Sequence, residues 1–450
     1  MTFRRSSLRH ARLIGWALAL GASALAGCQT PQSIGVIIQD DAHVALPWRP
    51  LTPAEQKTFD LGYATFNTEW TPANSPAPRT DGLGPLFNAQ GCDACHNSRR
   101  RGRGPRGDGD APADLVVQLG RRLPDGSVER GIAAYGRVLN TSAVPGFVPE
   151  AVVSIRYEGE VRLLADGTRV SMRTPRYDVT KLSGPALPDD TVLMPRMPPS
   201  VQGSGLLERV PQSALEKLAD AAQRRSGPIH GRVSRLTGDR GAPIGRFGWQ
   251  ATEPTVASQT ASAMSREMGL TTSLISHIDC GGGDTACQSA PTGGTPEVEP
   301  VLFDALVLFQ SLHAVPAEKV SITSLHGERT FALLGCADCH RPTLPVQTGM
   351  RARQVIHPYS DLLLHEMGSG LADRDVGGAA VHSEWRTAPL WGINASVATG
   401  QPLRLLHDGR ARTIEEAVLW HDGEARDARE GFTRLPADQR RALVAWVEKR

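Results

Sequence analysis

The chain has 450 residues, too many for a single small electron carrier and enough for two or three domains of about 100–200 residues. Lys+Arg 49 against Asp+Glu 47 leaves a formal charge of +2, so there is neither a basic field for nucleic acid nor an acidic excess for disorder. Glycine (46) and proline (33) make up about 18% of the residues where roughly 12% is usual, and much of the chain is expected as loop.

Residues 1–27 read as an export signal. Arg4, Arg5, Arg9 and Arg12 precede an apolar stretch, 13–26, that is too short to span a bilayer. Leu25-Ala26-Gly27-Cys28 resembles a bacterial lipobox, which predicts Cys28 as the lipidated first residue of a mature chain on the periplasmic face, at the outer membrane of a Gram-negative cell. An ordinary secretory signal would instead leave a soluble periplasmic protein. Residues 28–50 lack periodicity and read as a tether. Thr52-Pro53-Ala54-Glu55 then supplies an N-cap, a proline at the first helical position and an acid at the third, so a helix is expected toward Trp70, broken by the prolines of 72–78.

Arg99, Arg100, Arg101, Arg103 and Arg106 follow in a Gly/Pro-rich stretch. A solvated loop, a dock for an acidic redox partner and a carboxylate-pairing site all remain open for it. From about 115 to 177 the pattern alternates: Val153, Ile155 and Tyr157 share one parity, and Val170 and Met172 follow the turn pair Asp166-Gly167. This predicts a β-rich insert. Helical patterns occupy 211–225, 255–268, 299–312, 324–334, 413–420 and 436–449.

The seven cysteines fall into one lipobox residue and three pairs. Cys280 and Cys287 flank Gly281-Gly282-Gly283 and either close a small disulfide loop in an oxidising compartment or stay as thiols. Cys92-Asp93-Ala94-Cys95-His96 and Cys336-Ala337-Asp338-Cys339-His340 both satisfy the c-type haem attachment pattern. Two intervening residues let both sulfurs reach the vinyl groups of one porphyrin, and the next residue places an imidazole beneath the iron. A zinc module would separate its cysteine pairs by about 12–20 residues, not by roughly 240, and a thioredoxin-like dithiol needs no histidine. Two covalently bound c-type haems are therefore expected. After His96 the next histidine is His230, so the first iron has no sequence-local second ligand and is expected with an open face. For the second, Thr413-Ile414-Glu415-Glu416 forms a capping box, and Ile414, Ala417, Val418 and His421 follow i, i+3, i+4, i+7. His421 thus lies on a buried face. Met367, His365 and His407 are rival ligands, and a core histidine bonded to its neighbours is the bland alternative.

These motifs, with Asp81-Gly82-Leu83-Gly84-Pro85-Leu86-Phe87-Asn88, Gly245-Arg246-Phe247-Gly248-Trp249, the run Ile356-His357-Pro358-Tyr359-Ser360-Asp361-Leu362-Leu363-Leu364-His365 and Leu406-His407-Asp408-Gly409-Arg410-Ala411-Arg412-Thr413, resemble the bacterial di-haem oxidoreductases of peroxidase type. These are relatives of di-haem cytochrome c peroxidases, MauG-type enzymes and rubber oxygenases. The resemblance covers about 50–450. The patterns themselves read as a mainly α chain with an inserted sheet, and with the resemblance give two cytochrome c-like haem domains, 51–315 with the β-rich insert and 316–450. The resemblance also implies His421 as the second ligand of the second haem, and Trp249, Gln259 and Glu267 as the interhaem Trp and the Gln and Glu over the reactive iron. Independently, 259, 263 and 267 are spaced to line one helix face. Core packing of Trp249 and an exposed Glu267 are the alternatives. An interhaem calcium is compatible with the resemblance but is not derivable from these residues.

The function so implied is reduction of hydrogen peroxide at the first haem, with electrons from a periplasmic small cytochrome or cupredoxin entering through the second. The alternatives are MauG-like or O2-dependent oxidation of a protein or organic substrate, and non-catalytic electron transfer. The only membrane contact expected is the lipid, and no nucleic acid is expected.

Overall fold

The computed structural model describes residues 32–33, 36–37, 45–76, 79–96, 100–105, 107–111, 114–237, 241–317, 324–348, 354–398, 400 and 403–450. The export signal, Cys28, Arg99 and Arg106 lie outside the described residues. Among the described residues no helix is long and apolar enough to cross a membrane.

The helices in chain order are α1 (Pro53–Phe66), α2 (Cys92–Cys95), α3 (Ser204–Glu208), α4 (Gln212–Gln223), α5 (Val256–Met268), α6 (Thr285–Gln288), α7 (Pro300–Leu312), α8 (Ser324–Leu333), α9 (Ile393–Val397), α10 (Ile414–Trp420), α11 (Arg426–Arg434) and α12 (Ala437–Val447). Sequence fixes the starts of several. Thr52 accepts the Glu55 N–H at 3.3 Å while Glu55 accepts the Thr52 N–H at 2.8 Å, closing the expected box on α1. α1 packs on α7 through Phe59 and Phe309, whose rings are 5.1 Å apart, in a core that includes Trp70, Leu215 and Met264. The end of the expected tether is folded onto this core, since Trp48 donates from its backbone to Leu312 and from its indole to Ser311.

The expectation of a mainly α fold is wrong. The structure is 30% helix and 22% strand, and it does not show two cytochrome c domains. Its central sheet runs Ala380–His382, Asp373–Asp375, Thr191–Arg196, Val116–Arg122, Val128–Arg130, antiparallel throughout. Two of those strands come from beyond the second motif. The buried pair Arg196–Asp373, with both contacts at 2.7 Å, stitches the segments together.

A long hairpin, Val152–Leu163 with Arg169–Thr180, stands beside this sheet and joins two cores. Near its base Val153 and Ile155 are buried, Val153 in a cluster with Leu115, Val117 and Leu119. Toward its tip Val170 and Met172 enter a second cluster with Ile414, Leu419 and Trp446. Polar contacts fasten the tip there: Asp166 pairs with Arg440 at 3.0 Å, Arg162 donates to the Leu419 carbonyl at 3.0 Å, and the Arg173 N–H donates to Glu416 at 3.1 Å. Glu416 is consequently drawn away from its expected box. Its N–H still meets the Thr413 hydroxyl at 3.0 Å, but its carboxylate accepts from Arg412 and Arg173 instead.

α8 and α12 cross at Gly327, with Leu443 and Trp446 buried in the cluster beneath and Val444 packed against it. A side-chain carbon at Gly327 would collide with the Ala442 carbonyl and the Trp446 Cβ. Gly327→Ala should therefore destabilise the protein by about 1–3 kcal/mol through overpacking. Denaturant unfolding with an unchanged midpoint would show that the crossing adjusts freely.

Candidate active site

One cavity of about 1190 Å³ is lined by both Cys-x-x-Cys-His motifs. That exceeds the roughly 300–1,000 Å³ usual for a single small ligand. The cysteine–histidine sets do not converge into a bare metal cage, for among the described residues no group of three or more His, Cys, Asp or Glu could hold an ion.

His96, His340 and His421 all line the cavity and share one arrangement. Their Nδ1 atoms stand 2.8 Å from the Pro199 carbonyl, 2.8 Å from the Tyr359 carbonyl and 2.7 Å from the Ala417 carbonyl. A carbonyl can only accept, so each Nδ1 carries the proton. Burial pulls all three below the ordinary histidine range, His340 to about 4. The imidazoles are therefore neutral with Nε2 unprotonated, the form and orientation a metal ligand needs. His421 is close enough to His340 to push it down further.

Of the rival histidines only His365 fails this criterion, for His407, which burial pulls down to about 4, is neutral as well. His365 donates from Nε2 to Asp361 at 3.0 Å and from Nδ1 to Glu424 at 2.7 Å; burial opposes its charge, but these partners and Cys339 hold it up at about 12. It is an imidazolium with no lone pair. His407 lies flat on Trp385, with centroids 3.7 Å apart and planes 7° apart. Met367 lines the cavity and packs near Trp249, Leu371 and Trp385.

Gln259, Ala263 and Glu267 all face the cavity from α5, as their spacing required. Glu267 is half-buried rather than exposed, and burial, with Asp279 adding to it, pushes it up to about 7 against the pull of Arg266 and Asn88. Trp249 is buried, donates from its indole to the Met197 carbonyl at 2.7 Å and carries the Arg101 guanidinium 4.8 Å above its ring. Its turn is made by glycine: a side chain at Gly245 would strike the Ala251 carbonyl, and Gly248 adopts φ +74°. Cys280 and Cys287 are joined by a disulfide, and Gly282 between them donates to Ala133 at 2.7 Å.

Each distinctive sequence run proves to be a support. Gly84, Asn88 and Ala89 donate to the carbonyls of Met268 and Glu267, closing the end of α5 against the first motif. Tyr359, at φ +50°, offers the carbonyl that fixes His340, and Asp361 holds His365 beside Cys339. The turn before α10 is pinned by Asp408–Arg410 at 2.7 Å.

Three cavity arginines were not foreseen as a set. Arg101 donates to the Arg404 and Leu406 carbonyls, Arg386 to those of Gly248 and Thr387, and Arg404 to those of Leu403 and Pro105. No carboxylate pairs with them among the described residues, and burial lowers all three, Arg101 and Arg386 to about 10. The Nε of Arg404 is buried without a hydrogen-bond partner among the described residues. Buried cations bonded to carbonyls, with carboxylates acting on them only from beyond contact, favour an anionic guest. Paired thiols, neutral imidazoles and unpaired guanidiniums together fit haem and its propionates.

Residues 142–449 match the profile of the family described as "Di-haem oxidoreductase, putative peroxidase". The chain belongs to this family. Haem cofactors follow from that membership. The matched segment contains the second motif, Trp249, Gln259, Glu267 and His421; the first motif precedes it. No curated protein matches the chain, and no solved structure does.

Proposed function

We propose that this di-haem oxidoreductase reduces hydrogen peroxide or a related small oxidant beside the first motif and takes up electrons beside the second. The carrying observation is the asymmetry of the one cavity. His340 is accompanied by a second neutral imidazole, His421, whereas the helix next to Cys95 presents a carboxyl and a carboxamide, Glu267 and Gln259. In this reading Cys92 and Cys95, and Cys336 and Cys339, bind the cofactors covalently as thioethers, with His96 and His340 as proximal ligands. When bound, haem supplies electron exchange and the cleavage of the O–O bond.

The protein's own part is positioning and proton handling. Glu267, poised near neutrality, gives a proton to the departing oxygen and recovers it from solvent. Gln259 orients the oxidant by hydrogen bonding. His421 closes the second centre to small molecules, so that it only exchanges electrons, and Trp249 lies on the route between the two. We further propose export, with Cys28 as the lipid anchor, and a small periplasmic cytochrome or cupredoxin as donor.

Electron paramagnetic resonance with and without peroxide should show one responsive and one inert centre. Glu267→Gln should reduce peroxide turnover by about 10²–10⁴-fold. In the wild type the rate should fall as pH rises through about 7, where a general acid becomes deprotonated, and that inflection should vanish in the variant. Undiminished turnover in Glu267→Gln excludes the acid–base role.

A further inference from the structure

The loop leading into the first motif reaches Glu267 by backbone and by side chain. The N–H groups of Asn88 and Ala89 donate to the Glu267 carbonyl at 2.8 and 3.1 Å, filling an acceptor left open at the end of α5. The Asn88 amide is then oriented by a backbone donor that cannot reverse. The backbone N–H and hydroxyl of Thr141 reach its Oδ1 at 3.1 and 3.0 Å, so Nδ2 must point the other way. There it donates to Oδ1 of Asn140 at 3.3 Å and to Oε2 of Glu267 at 3.5 Å. The Asn140 amide obeys the same polarity. Its Nδ2 donates to Oε2 of Glu150 at 3.1 Å, and its backbone N–H donates to that same oxygen at 2.7 Å. Glu150 is 4% exposed, so the far end of the chain is fixed in the interior.

We infer that Asn88 is a positioning residue for Glu267: the line Glu150–Asn140–Asn88 keeps Oε2 of Glu267 an acceptor, so that Oε1 is the oxygen that gains and gives the proton. This deepens the reading of Glu267 as the acid–base group and rests on it. A donor on Oε2 favours the ionised carboxyl, so its removal makes ionisation harder. The other groups acting on Glu267 are Arg266, which favours ionisation, and Asp279, which opposes it, while the neighbouring Cys95 is an uncharged thioether in the haem-loaded protein. Substitution at 88 leaves all three in place.

The test uses the full-length haem-loaded protein and infrared titration of the protonated carboxyl band, assigned by its absence in Glu267→Gln. Asn88→Leu should move that titration up by about one pH unit. Asn88→Asp keeps an acceptor for Thr141 but replaces the donor with a like charge, and should move it further in the same direction. A titration that stays at the wild-type value or moves down in these variants overturns the inference; should the Leu variant fail to fold, the Asp variant decides alone. The band is read without turnover. Peroxide reduction indifferent to Glu267→Gln would therefore reject the acid–base reading, while the Asn88 shifts would still report on the positioning.

Discussion

The double variant Cys92→Ala/Cys95→Ala is expected to carry one covalent haem per chain where the wild type carries two, halving the pyridine haemochrome absorbance, and to lose peroxide turnover to background. Burial pushes Cys92 and Cys95 up to about 12, which favours the protonated thiol in the haem-free chain. Cys336→Ala/Cys339→Ala should halve the absorbance equally but leave the peroxide-responsive resonance, since Glu267 and Gln259 are untouched. Equal loss of that resonance from either double variant would mean that the two centres are interchangeable, and the assignment of roles would fail. Unchanged haem content in either would remove the motifs from cofactor attachment altogether.

The second large effect is expected at His421. His421→Ala should convert the second haem from low to high spin, visible in the absorption and electron paramagnetic resonance spectra. His365→Ala and Met367→Leu should keep it low-spin. The distinction rests on lone pairs: His421 has one on Nε2, while His365 has spent both nitrogens on Asp361 and Glu424. A high-spin signal from Met367→Leu with none from His421→Ala would transfer the ligand to the thioether.

Helix starts were legible because the information is local. Thr52, Thr255 and Thr413 cap their helices within three residues, and the spacing of 259, 263 and 267 lines one face without help from the rest of the chain. The sheet was not, for the two strands it takes from beyond the second motif are three residues long, too short for alternation to register, and the inner one pairs with a partner nearly two hundred positions earlier, Asp375 with Val192. Hence the erroneous mainly α expectation. In the candidate site the donors were readable from motif spacing, but their supports were not. Pro199 and Tyr359 act through backbone carbonyls that no side chain advertises. The sequence left Arg101 open among a solvated, a docking and a carboxylate-pairing use, and only folding separates it, turned inward over Trp249, from the exposed Arg103, which pairs with the buried Asp114.

The hairpin over 152–180 has a consequence for modularity. It is built from the half of the chain that bears the first motif, yet its outer end forms part of the wall around the second. A fragment excised after residue 316 would bare the apolar flank at Ile414 and Trp446 and leave Arg440 with the Leu435 carbonyl and, at 3.8 Å, Glu415 as its one carboxylate. The second centre is thus no portable cartridge, and a graft into another scaffold would have to bring this β-ribbon along or accept a sticky, self-associating product.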